Sequence, residues 1–96
     1  MLTGKQRRFL RAMGTGIDPI LQVGKGGLNE NLIKQVDDAL EARELIKVSV
    51  LANSAEEPKE IAHAISQATG AELVQVIGKK LLLYRYSKKK PKLELP

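Results

Sequence analysis

The sequence predicts an α/β fold: a four-stranded mixed sheet covered by helices, in the order helix-strand-helix-strand-helix-strand-strand. Three observations predict it. Apolar residues recur at helical spacing in three segments, near Leu2–Met13, Asn29–Arg43 and Ser54–Ala68. Short strand-like runs separate them, Ile20 to Val23 and Leu45 to Leu51. Two more runs close the chain, Glu72 to Ile77 and Leu81 to Tyr86, around Gly78-Lys79-Lys80. Strands alternating with helices imply right-handed parallel crossovers, and the final pair reads as an antiparallel hairpin.

Each element has its own local reasons. Thr3 can cap a first helix running to about Met13. Leu2, Phe9, Leu10 and Met13 share one side of it, while Lys5, Arg7, Arg8 and Arg11 spread over the other. Met13-Gly14-Thr15-Gly16 breaks that helix, and Asp18-Pro19 turns into the first strand. Gly24-Lys25-Gly26-Gly27 follows the strand, and Asn29 is a good cap for a long second helix with Leu32, Ile33, Val36, Ala39 and Leu40 at helical spacing. Ser54, Glu56, Glu57 and Pro58 suit the start of a third helix, whose apolar face is Ile61, Ala62, Ile65 and Ala68. Gly70 ends it.

With 96 residues the chain is one domain, expected over residues 1–87, followed by a basic flexible tail over 88–96. Hydrophobic residues make up 43%, yet there is one Phe and two Tyr, so the core must be aliphatic. The absence of cysteine excludes a disulfide framework and a thiolate metal site, and agrees with a cytoplasmic location. No run approaches the ~20 apolar residues of a membrane span, and the first residues do not read as a signal peptide. A monomer is expected.

The net charge is +5, and its placement says more than its size. Residues 1–13 carry Lys5, Arg7, Arg8 and Arg11 and no acid. Residues 29–44 set Lys34 and Arg43 against Glu30, Asp37, Asp38, Glu41 and Glu44. Residues 73–96 set Lys79, Lys80, Arg85, Lys88, Lys89, Lys90 and Lys92 against Glu94 alone. Basic ends around an acidic middle point to a polyanion on one side, against ordinary solvated charge on the other reading. The cations of the first helix have no acid beside them, so intrahelical pairing does not explain them.

The glycine loop between strand and helix suits a phosphate. Glycines allow close backbone approach, the helix start offers amides and a positive dipole end, and Lys25 adds charge. The same pattern also serves as a plain turn. It lacks the spacing of a P-loop and of a dinucleotide-binding turn. Lys79 and Lys80 on a hairpin tip are phosphate candidates or solubilising residues, and Arg85 is a phosphate candidate. Tyr84 and Tyr86 face one side of the last strand, where they either stack on bases or pack in the core.

Enzyme chemistry has little to stand on. His63 is the only histidine and is expected to face solvent. Asp37 and Asp38 are adjacent and diverge on a helix, so they form no shared acid pair. No catalytic residue, metal cluster, cofactor or small-molecule substrate is expected.

Several strings together carry a resemblance: Leu2-Thr3-Gly4-Lys5-Gln6-Arg7, Pro19 to Leu28, Glu44-Leu45-Ile46-Lys47-Val48, and Val76 to Arg85. On these the chain resembles the CRM domain family (chloroplast RNA splicing and ribosome maturation), and within it the bacterial stand-alone YhbY-like members. The resemblance spans nearly all of residues 1–86. It implies an RNA-binding domain with a fold similar to the C-terminal domain of translation initiation factor three. The family's Gly-x-x-Gly loop maps onto Gly24, Lys25, Gly26 and Gly27. Ribosomal RNA, in a precursor of the large ribosomal subunit, is the implied partner, and ribosome assembly the implied role. Family members often close the first helix with an Ala-His-like pair. Met13-Gly14 departs from this, which predicts a shortened helix or a loosened junction. The expected RNA contacts are Gly24, Lys25, Gly26 and Gly27, with Lys5, Arg7, Arg8, Arg11, Lys79, Lys80 and Arg85. A protein-interaction module built on the acidic second helix, and a DNA binder, are the alternatives.

Overall fold

A computed structural model of the chain describes residues 2–89, 91 and 93–96. Seven elements follow in the expected order: α1 (Gly4–Gly14), β1 (Leu21–Val23), α2 (Glu30–Arg43), β2 (Leu45–Val50), α3 (Pro58–Thr69), β3 (Glu72–Ile77) and β4 (Lys80–Tyr84). The sheet order is β1-β2-β4-β3. β1 runs parallel to β2, while β4 is antiparallel to both β2 and β3. The closing strand of the hairpin thus inserts between β2 and β3, which ties the last segment into the centre of the sheet.

The helix ends follow from local chemistry. Thr3 and Gln6 form a reciprocal capping box: the Gln6 amide N–H donates to the Thr3 hydroxyl at 3.1 Å, and the Thr3 N–H donates to Gln6 Oε1 at 3.0 Å. The Asn29 side chain accepts from the Leu32 N–H at 2.8 Å. Gly70 closes α3 at φ +78°, a conformation in which glycine carries no Cβ penalty. Glu57 occupies the N-cap position of α3 without a side-chain hydrogen bond to the helix, and Ser54 turns the preceding loop by bonding Glu56.

The helices divide unequally over the sheet. Val36 and Leu40 of α2 and Ile61, Ala62 and Ile65 of α3 bury against Val23, Ile46, Val48, Val50, Leu81 and Leu83. On the other face, Leu10 of α1 packs with Leu45, Val74, Leu82 and Tyr84. Full burial of a leucine such as Leu10 stabilises by roughly 1.5–3 kcal/mol. Strand alternation sorts the side chains accordingly, and a bulge at Leu73/Gln75 places Val74 and Gln75 on the α1 side together.

Three expectations are corrected. The first helix is not shortened, and its junction is tight: Gly14 is its last residue, and a Cβ there would lie 2.5 Å from Leu82 Cδ2. The tail is not simply free. Leu93 and Leu95 pack against the α1-side cluster, and the Leu93 N–H donates to Glu44 Oε1 at 2.7 Å. Alternating apolar residues and a buried carboxylate hold that part of it, although Lys88 and Lys89 remain exposed. Lys90 and Lys92 lie outside the described residues. The two tyrosines part company: Tyr84 is buried, whereas β4 ends there and Tyr86 is 57% exposed.

Candidate nucleic-acid interface

The Gly24–Gly27 segment is a tight turn, closed by the Gly27 N–H donating to the Gly24 carbonyl at 3.0 Å. Gly27 sits at φ +64°, the left-handed region that favours glycine, and a Cβ there would lie 3.3 Å from Glu56 Oε1. The amides of Lys25 and Gly26 bond to nothing among the described residues, and both residues are exposed. The anion-attracting part of the turn is therefore its tip. The inner side is less hospitable, because Gly27 N–H is occupied, Asn29 already caps the helix, and Glu56 brings a negative charge.

β-pairing places this turn beside the hairpin. Val23 aligns with Val50, the Leu51 N–H donates to the Val23 carbonyl, and the Val50 N–H donates to the Lys79 carbonyl at 2.7 Å. Lys25 and Lys79 thus stand at the same end of the sheet, just beyond β1 and just before β4, strands two spacings or roughly 10 Å apart. Lys79 and Lys80 are both exposed. On α1, Lys5 and Arg8 are exposed and Arg11 is half-buried, and none has an ion pair among the described residues.

Two predicted contacts turn inward. Arg7 Nη1 donates to the Leu73 carbonyl at 2.7 Å and the Val74 carbonyl at 3.4 Å. Those carbonyls lie at the β3 bulge, where the ladder is interrupted, so the guanidinium satisfies what the sheet does not. Arg85 Nη1 donates to Asp37 and to the Thr69 carbonyl at 2.8 Å, while Nη2 donates to the Asp37 carbonyl at 3.1 Å and lies 3.8 Å from Glu41. Arg85 is thereby removed from the set of free phosphate ligands, since its charge is balanced by two carboxylates, whereas Arg7 is anchored through Nη1 alone and has no carboxylate partner among the described residues.

The same carboxylates matter to the rival reading. Asp37 and Glu41 face Arg85, and Asp38 lies 3.6 Å from Lys34, so much of the acidic face of α2 is answered within the molecule. Glu41 also accepts from the Ser87 hydroxyl, and from the Lys89 N–H at 3.4 Å. The Ser87 bond first, then Lys89 and Arg85, hold its carboxyl below the usual carboxylate range against a smaller opposing effect of burial. Burial, with Glu44 nearby, raises the Tyr84 phenol.

Glu44 is a residue whose part the sequence did not show. It is fully buried at φ +66° and is the only residue between α2 and β2. Its carboxylate accepts from the Ser87 and Leu93 amides, both at 2.7 Å. A glutamate at a helix end reads as surface charge, and no local pattern marks it otherwise. Among the described residues there is no cluster of metal-ligating side chains, and no helix is long and apolar enough to cross a membrane.

The family model for the CRS1 / YhbY (CRM) domain matches residues 2–85. The chain belongs to this family. As a CRM domain it is 54% identical over 96 residues to "Probable RNA-binding protein YqeI" of Bacillus subtilis, covering 100% of both chains. It is 38% identical to a Haemophilus influenzae protein named "RNA-binding protein", over 99% of this chain and 95% of the other. The solution structure of the hypothetical protein SAV1595 from Staphylococcus aureus matches this CRM domain at a TM-score of 0.82 and 59% identity, across 100% of both chains. The resemblance drawn from the sequence strings is thereby upheld, and so is the fold class.

Proposed function

We propose that this CRM domain binds RNA without catalysis, and that its RNA is ribosomal, in a precursor of the large subunit. The observation that carries the reading is a set of cations without an ion pair among the described residues, Lys5, Arg8 and Arg11 on α1, with Lys25, Lys79 and Lys80 at one end of the sheet. Cations in register with free loop amides bind a phosphate backbone. The relatives named for RNA binding, which align over nearly their whole length, favour RNA over DNA. Membership of the family supports the ribosomal role. The acidic face of α2 supports a protein partner less well, since Arg85 and Lys34 already answer it.

The loop's part is tested by Lys25→Asp with Gly26→Asp. A Cβ on Gly26 meets nothing within 4 Å and Lys25 is exposed, so the double variant should keep the fold, which its circular dichroism checks. Its affinity for large-subunit precursor RNA should fall by at least about tenfold, given the loss of one cation and the gain of two anions at a phosphate contact. Unchanged affinity in a folded variant would remove the loop from the site.

A further inference from the structure

α1 covers only part of its side of the sheet. The helix ends at Gly14, and the chain leaves through Thr15 and Gly16. Beyond it, the strands present Lys47, Gln75, Ile77 and Lys80 toward the same side, around a cavity of ≈ 130 Å³ that Gly14 and Thr15 close from the helix. Leu82 also lines it. Gly14 keeps this wall flush, since a side chain there would run into Leu82.

We propose that this cavity receives one unpaired nucleobase of the bound RNA. The inference rests on the RNA-binding reading and adds to it a place where base identity is read. The chemistry of the walls is the argument. Leu82 and Ile77, the latter 61% exposed, offer apolar contact to a ring face. The Gln75 amide makes no hydrogen bond among the described residues, so its donor and acceptor are free for a base edge. Lys47 and Lys80 supply positive charge for the flanking phosphates, and none of the lining residues is acidic. The space is too small for a peptide helix, which is ≈ 10–12 Å across with its side chains. The cavity also lies on the line of the other cations, because Lys80 begins β4 directly after Lys79 and pairs with Ser49. No aromatic residue lines it, so recognition falls to the amide and depends on the base, in contrast with stacking platforms that accept any base.

The test is an amide NMR titration of the whole chain with short single-stranded homopolymers of A, C, G and U, and with duplex RNA. Single strands should shift Gly14, Thr15, Gln75 and Ile77, and one base should be preferred by at least ~5-fold. Gln75→Leu should level that preference while duplex affinity stays unchanged, and Ile77→Ser should weaken all single strands alike. Shifts confined to α1 and Gly24–Gly27, with the cavity silent, would overturn the base pocket and leave RNA binding standing. No response to any RNA would overturn both.

Discussion

Arg85 and Lys5 are both cations in a basic chain, yet they do opposite work. Arg85 joins α2, the end of α3 and the residue after β4 through one guanidinium, whereas Lys5 points into solvent. Arg85→Ala should lower unfolding stability by about 2 kcal/mol, because the carbonyls and carboxylates it serves lose a charged donor. Lys5→Ala with Arg8→Ala should leave stability within about 0.5 kcal/mol and weaken RNA binding instead. Urea unfolding and RNA affinity, measured on both, separate the two roles. Comparable stability losses in the two variants would contradict the division. The sequence showed all these charges but could not sort them, since the partners of Arg7 and Arg85 are 66 and 48 residues away. Glu44 was hidden for the same reason: its amide partners, Ser87 and Leu93, lie 43 and 49 residues away.

Elements read more easily than residues, and the caps explain why. Thr3, Asn29 and Gly70 act within a few positions of their own helices, so their meaning is local. Which face of the sheet a helix covers is decided by long-range packing, and the half-open side beyond Gly14 was accordingly not visible. Gly14→Ala tests that packing. Alanine gains at most about 1 kcal/mol of helix propensity, but overpacking against Leu82 costs about 1–3 kcal/mol. The variant should be less stable in thermal unfolding; a more stable one would mean that Leu82 has room to turn. The tail is a second case. Proline and lysine make it read as disordered, but Leu93 and Leu95 reach the α1-side core, and Glu41 helps hold its start. Glu41 has a lowered pKa in the folded chain, so its contribution is present above the ordinary carboxylate range. It is lost as pH falls through the lowered value. The protection factor of the Lys89 amide, taken against its intrinsic exchange rate at each pH, should therefore fall on acidification, and Glu41→Gln should remove that dependence. A protection factor that stays flat in the parent chain would contradict the linkage.

At the scale of the whole molecule, charge and topology converge. α1 carries Lys5, Arg8 and Arg11 on one side of the sheet, and parallel pairing of β1 with β2 brings the glycine turn to the end of the sheet where Lys79 and Lys80 stand. The acidic α2 packs on the opposite side and is bridged by Arg85. The free cations of α1 thus lie across the sheet from the α2 acids that Arg85 and Lys34 answer, which favours a polyanion docking on the α1 side. The most direct test of that account is a crosslinking map of RNA bound to the chain in cells, with ribosomal fractions separated. Crosslinks concentrated on large-subunit precursor RNA, at peptides of α1 and the Lys25 turn, are the predicted result. Crosslinks scattered over many RNAs, or borne by α2, would contradict it.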